Sequence, residues 1–228
     1  MQVEVYPDAA AAAARAASLI ADSLAAAVAD RGAGSAALSG GRTPTLMMQA
    51  LALAALPWPQ IHLFQVDERM VGASDSRRNL TAMNRAFRQC PLPPANLHAM
   101  PVDARSSAAG AARYSTDLRR LVGTPPRLDV VHLGLGEDGH TASLVPGDAA
   151  VTSQGDVTLS GDYQGVRRMT LTLPLLNAAR QRVWLVTGSA KREIVRRFLD
   201  GDSSLVASQV SRQDAYLVLD TTASGERE

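Results

Sequence analysis

Residues 128–147 constrain this chain more than any other stretch: Leu-Asp-Val-Val-His-Leu-Gly-Leu-Gly-Glu-Asp-Gly-His-Thr-Ala-Ser-Leu-Val-Pro-Gly. The segment 130–135 is apolar and β-branched, which predicts a strand buried on both faces in a parallel sheet. Gly134, Gly136 and Gly139 follow closely. Glycine there lets the backbone turn and approach a ligand. Glu137, Asp138 and His140 are interleaved with them. In open α/β sheets ligands lie beyond the carboxyl ends of the strands. A strand that runs straight into acid, acid, glycine and histidine therefore places proton-transfer groups where a ligand sits.

A second turn has the same logic. The strand predicted at 35–38 leads into Ser39-Gly40-Gly41-Arg42-Thr43-Pro44 and then a helix over 45–56. Pro44 suits a first helical turn. Free N–H groups and the positive end of the helix dipole make such a turn an anion site, and Arg42 and Thr43 add side-chain donors. The Gly-Lys-Ser/Thr ending of a P-loop is missing. A third strand, 61–66, ends in Asp67-Glu68-Arg69, again putting charge at the ligand edge.

The remaining chain alternates the same two element types. A strand at 2–6 precedes a helix capped by Asp8 and ended by Arg31-Gly32. Helices are predicted at 80–87 and 103–121, with a short strand at 96–100 between them. The segment 148–165 is polar and reads as a surface excursion, a lid or an inert loop. A strand at 167–173, a short helix at 174–180, a strand at 182–186, a helix at 192–199 and a strand at 215–219 that closes the sheet complete the pattern, with a frayed tail from Thr221. Alternation of this kind predicts a mostly parallel sheet with helices on both faces. No internal repeat or linker divides residues 1–228, so a single domain is expected.

Composition removes several function classes. The 228 residues carry a net charge of +1 and no dense basic stripe, so nucleic acid is not expected as a partner. The one cysteine, Cys90, cannot form an internal disulfide and fits a reducing compartment. No run of ~18 consecutive strongly apolar residues and no leader pattern is visible, so no membrane is expected, and the default location is cytoplasmic. The histidines His62, His98, His132 and His140 show no metal-ligand spacing. No metal is expected, and His132, inside a strand, reads as a packing residue.

The block Gly-x-Gly-x-Asp-Gly-His-Thr-Ala-Ser-x-x-Pro-Gly resembles the signature of 6-phosphogluconolactonases, hydrolases of the second step of the pentose phosphate pathway. The string Ser39-Gly40-Gly41-x-Thr43-Pro44 resembles the sugar-phosphate loop of the wider superfamily, which includes glucosamine-6-phosphate deaminases. Asp67-Glu68-Arg69-x-Val71 resembles a further lactonase block. Asn79 matches that family's Ser-Asn pair, but Arg78 stands where the serine is common.

The resemblance implies a Rossmann-like, doubly wound α/β fold and a cofactor-free hydrolase that opens a small-molecule sugar-phosphate lactone, as a monomer or weak homo-oligomer. It implies His140 as general base, since imidazole titrates near working pH. Arg69 is the first candidate for stabilising the oxyanion, and backbone N–H groups of the central glycine turn, around Gly136, are the second. Asp138 or Asp67 is available to orient the base or the water, with Asp67 the assignment adopted. Ser39, Gly40, Gly41, Arg42, Thr43, Asn79, Gly136 and Lys191 are expected to bind substrate. So is Arg168, with Arg167 an alternative that sequence does not separate.

Two rivals remain. A glucosamine-6-phosphate deaminase would share the phosphate loop and Asp-Gly-His. That family resembles Asp-Glu-Tyr at 67–69, and it has a glutamate where this chain has Val145. A non-catalytic sugar-phosphate sensor is the other, and the chain shows no segment set aside for a DNA-binding unit.

Overall fold

The structure, a computed structural model, describes residues 1–225. Strand β1 (Gln2–Tyr6) is followed by helix α1 (Ala9–Arg31). The Asp8 side chain accepts from Ala11 N at 2.8 Å, and Gly32 closes the helix with φ 77°. Next come β2 (Gly34–Leu38), α2 (Arg42–Ala52) and β3 (Ile61–Gln65). Beyond them lie β4 (Asp67–Arg69), α3 (Asn79–Ala86), β5 (Leu97–His98) and α4 (Ser107–Val122). β6 (Val130–Leu133) leads through a long connection to β7 (Val157–Leu159) and β8 (Arg168–Leu171). The chain ends with α5 (Leu173–Ala178), β9 (Gln181–Val186), α6 (Arg192–Leu199), β10 (Ala215–Asp220) and α7 (Thr221–Ser224).

Seven strands form one sheet in the order β1-β10-β9-β6-β2-β3-β5, and every neighbouring pair is parallel. The chain winds outward from β2 through β3 to β5 on one side, and from β6 through β9 to β10 on the other. The winding direction therefore reverses between β2 and β6, the position at which such sheets open a crevice. The two glycine turns read from the sequence leave the carboxyl ends of these two strands.

Alternation along the strands splits the core into two layers. Ala36, Leu38, Val183, Leu185 and Val218 face α1 and α2. Ala37, Trp184, Val186, Leu217 and Leu219 face the other side with α5 and α6. Buried Ala12, Ala13, Ala16 and Ala17 bring α1 close to the sheet. Over an 18-residue window α1 has a mean hydropathy of 1.4, enough by length and composition to cross a membrane. This corrects the expectation that no such stretch exists, which counted large apolar side chains and overlooked how much hydropathy alanine carries. Here the apolar side of α1 lies against α2 and the sheet.

A second, three-stranded antiparallel sheet, β4-β8-β7, stands at the carboxyl end of the first. It was not foreseen as a separate layer. The triplet Asp67-Glu68-Arg69 is a strand paired with β8, not a charged edge in solvent, and Val66 joins the sheets by accepting from Leu171 N at 2.8 Å. The excursion 148–165 is more than a loop: it contains β7, which pairs with β8, and a one-turn helix at Ala149–Thr152. β10 does not close the main sheet, because β1 covers its outer edge. The chain is not frayed from Thr221, as was expected: Asp220 caps α7, and Ala223 is fully buried. Residues 226–228 lie outside the described residues.

Candidate active site

Two adjoining cavities occupy the crevice between the sheets. The inner one, about 190 Å³, is lined by Ser39, Gly40, Asp67, Arg69, Asn79, Gly136, His140, Arg168 and Lys191, among others. The outer one, about 450 Å³, is lined by Gly41, Arg42, Arg69, Arg77, Arg78, Asn79, Gln164 and Arg168, among others. Arg69, Asn79 and Arg168 border both. Segments far apart in the chain thus meet because the switch point supplies the glycine turns and the small sheet supplies the cations.

The turn after β6 folds tightly on itself. Gly136 N donates to His140 O at 2.8 Å, and Gly139 N donates to Gly136 O at 3.0 Å. A Cβ on Gly136 would lie 2.0 Å from His140 Nδ1 and 2.6 Å from Asp138 Oδ1, so only glycine fits. These bonds correct the second oxyanion candidate in part, since the N–H groups of Gly136 and Gly139 are already committed.

His140 Nδ1 lies 2.6 Å from Asp138 Oδ1, and the same oxygen accepts from His140 N at 3.1 Å. Burial alone would raise the Asp138 carboxyl, but the hydrogen bonds from His140 and Tyr163 outweigh it and hold it below its usual range. A carboxylate only accepts, so in the neutral imidazole the proton sits on Nδ1 and the lone pair on Nε2. Asp67 is not the residue that orients the imidazole, which corrects the adopted assignment. The tight glycine turn puts a carboxylate from the same loop against Nδ1.

Asp67 is instead locked into the small sheet. Its Oδ2 accepts from Ser143 Oγ at 2.5 Å, and its Oδ1 from Asn79 Nδ2 at 3.3 Å. Burial pushes its carboxyl up, while Ser143 and the Arg168 and Arg69 charges pull it down less strongly. Asn79 Oδ1 in turn accepts from Arg69 Nη1 at 2.8 Å, and Arg77 O accepts from the same nitrogen at 2.6 Å. A Cβ on Gly40 would stand 2.1 Å from Asn79 Oδ1, so the first glycine turn packs directly on this network.

Arg168 is the strongest electrostatic feature. It is 7% exposed, and its Nε has no hydrogen-bond partner. Among the described residues no carboxylate reaches it within ion-pair distance; the Tyr163 ring lies 5.0 Å from its guanidinium carbon. Burial lowers its pKa. Asp67 and Arg69 act on it through space with opposite signs, and a desolvated guanidinium without a hydrogen-bonded counter-charge is costly unless an anion arrives. Arg167, its neighbour, is exposed and stands just before β8.

The other expected residues divide. Lys191 lines the inner cavity, with Nζ 3.8 Å from Glu137 Oε1. Arg42 is exposed at the start of α2 and lines the outer cavity. Thr43 borders neither: its hydroxyl meets Thr187 Oγ1 at 2.7 Å. Ser39 lines the inner cavity, but its Oγ donates to His132 O at 2.9 Å. His132 is fully buried, and burial pushes it down to about 3, the neutral packing residue expected.

Three residues were missed. Glu68, fully buried, accepts from Arg69 N, Asn79 N, Leu80 N and Gln65 Nε2, each at 2.8 Å, tying β4 to the first turn of α3. Arg78, where the family's serine was absent, is 5% exposed and pairs with Glu68 Oε2 at 3.3 Å. Tyr163 donates to Asp138 Oδ2 at 3.1 Å. The charged triplet hinted at the first two, but nothing local in the sequence pointed to Tyr163.

Comparison with known proteins gives the same picture. The description of glucosamine-6-phosphate isomerases/6-phosphogluconolactonases matches residues 7–219. A 6-phosphogluconolactonase of Synechocystis is 42% identical over 171 residues, covering 73% of this chain and 71% of that protein. The crystal structure of a 6-phosphogluconolactonase from Shewanella baltica superposes with a TM-score of 0.85 at 27% identity, covering 96% of this chain and 97% of the other. A monomeric glucosamine-6-phosphate deaminase superposes with a TM-score of 0.85 at 20% identity over 100% of both chains, so the fold alone does not choose the reaction. By sequence and by fold, this chain belongs to the glucosamine-6-phosphate isomerase/6-phosphogluconolactonase family.

Proposed function

We propose that the chain is a 6-phosphogluconolactonase, opening 6-phospho-D-glucono-1,5-lactone to 6-phospho-D-gluconate in the oxidative pentose phosphate pathway. One observation carries the reading: an imidazole fixed by a carboxylate shares a cavity with a buried arginine whose Nε has no hydrogen-bond partner. The lactone carbonyl lies in the inner cavity, and the phosphate binds Arg168 with Arg42 and the Gly40-Gly41 turn alongside.

Water attacks the carbonyl carbon as His140 Nε2 takes its proton, and Asp138 stabilises the imidazolium that forms. Arg69 faces the oxyanion of the tetrahedral intermediate. Collapse of that intermediate breaks the ring C–O bond, and the leaving oxygen takes the proton back from His140. The product is an open-chain hydroxy acid, with no net use of the base. Asp67 keeps Arg69 and Asn79 in place. The deaminase reading lacks its glutamate, since Val145 cannot move a proton.

The test is lactone disappearance after glucose-6-phosphate dehydrogenase has generated it, corrected for spontaneous opening. His140→Ala should lose about 10²–10⁴-fold in turnover. Near-normal turnover in that variant would overturn the assignment.

A further inference from the structure

Tyr163 stands at the tip of the hairpin that joins β7 to β8. Its N donates to Val166 O at 3.2 Å, and Val166 N donates back at 3.4 Å. The two residues between them, Gln164 and Gly165, have φ of 56° and 76°. This is the primed two-residue turn that matches strand twist, so the tip is a defined structure with a fixed direction. Gln164 and Val166 face the outer cavity. The Tyr163 ring faces inward and makes three contacts with the site. It meets the His140 ring edge to face, with centroids 5.2 Å apart at 66°. Its hydroxyl donates to Asp138 Oδ2, the oxygen that His140 does not use. Its face covers the Arg168 guanidinium.

We propose that Tyr163 is a positioning residue that couples the base to the anion-binding arginine, its hydroxyl and ring edge setting Asp138–His140 while its face holds Arg168 toward the cavities. The proposal rests on the lactonase reading above and adds a residue outside the motifs that identify the family.

The two halves of the side chain do separable work. The phenol shares the Asp138 charge with the imidazole; without it that charge acts on His140 alone and favours the imidazolium. Groups facing this cluster are Glu137 and Lys191 from the neighbouring loops and Arg168 and Asp67 from the small sheet. The ring shields and orients Arg168, with which no described carboxylate forms an ion pair.

The experiment compares Tyr163→Phe, Tyr163→Leu and His140→Ala with the wild type in the lactone assay from pH 5 to 8. Tyr163→Phe keeps the ring, so KM should stay within about twofold, while the acid limb of kcat/KM moves up by about half a pH unit. Tyr163→Leu should show the same displaced limb and a KM raised about two- to fivefold, the worth of an exposed cation–π contact. A residue that merely packs would move neither the limb nor the KM-to-kcat split. If His140→Ala is inactive while both Tyr163 variants match the wild type in kcat, KM and pH profile, the role of Tyr163 is refuted and the lactonase reading stands. If His140→Ala opens the lactone at the wild-type rate, the assignment of His140 as base falls, and if the wild type itself does not accelerate opening, it is the lactonase reading that falls.

Discussion

Replacing Arg168 with methionine separates a binding arginine from a structural one. The wild-type side chain is 7% exposed, its Nε lacks a partner, and an aromatic face, the buried carboxyl of Asp67 and a second cation, Arg69, stand near it. Methionine fills much of the volume and removes a desolvated charge. The lost cation–π contact costs about 0.5–2 kcal/mol, and relief of charge burial offsets it on a scale of about 1–4 kcal/mol. Arg168→Met should therefore fold at least as stably as the wild type, within about 1 kcal/mol, in urea unfolding without ligand. Binding should move the other way. Loss of charge-assisted hydrogen bonds to a phosphate costs about 1.5–3 kcal/mol, so KM should rise about 10- to 150-fold. Inorganic phosphate should stabilise the wild type in thermal unfolding and leave the variant unmoved. A variant destabilised by more than about 3 kcal/mol with KM unchanged would refute the reasoning, because Arg168 would then be part of the scaffold.

Glu68→Gln should destabilise by about 3–5 kcal/mol in urea unfolding, because a carboxamide turns an N–H toward donors now satisfied and unpairs Arg78; a loss under 1 kcal/mol would contradict that account. Gly136→Ala should fold but lose turnover at least about tenfold, since its methyl displaces the His140–Asp138 pair and misplaced catalytic groups cost rate steeply; unchanged kcat would argue against the tight turn. Burial pushes His98 down from 6.5 to about 4, with the neighbouring His62 adding to the effect. Its folded value lies below its unfolded one, so the stability it contributes is present above pH 6.5 and is lost as pH falls toward 4. The urea midpoint should drop over that window in the wild type and drop less in His98→Gln; equal drops would exclude His98 as the cause.

What sequence revealed was mostly local. Asp8 and Gly32 cap α1 as read, since a cap depends on a handful of consecutive residues. The glycine turns after β2 and β6 were legible for the same reason, and the alternation of elements carried the parallel sheet. The two boundaries of α2 differ because its first turn begins inside the glycine loop, at Arg42. Long-range pairing was not legible. Asp67-Glu68-Arg69 is polar by composition, yet Glu68 is fully buried because four donors from three segments converge on it. Arg168 was separable from Arg167 only once β8 was seen pairing with β4, which fixes the inward face. Asp138 rather than Asp67 meets His140 because of how the loop closes, which motif spacing does not show. Tyr163 reaches the site from a hairpin tip 23 residues after His140, through contacts that no short pattern encodes.

The central claim, that this crevice opens a phosphorylated lactone, is tested most directly by a single rate. Freshly generated 6-phosphogluconolactone is followed with and without the wild-type protein, with glucosamine 6-phosphate as the control substrate. The account predicts lactone opening well above the spontaneous rate and no ammonia release from the amino sugar. Spontaneous-rate opening at saturating protein, or ammonia release in its place, would contradict it.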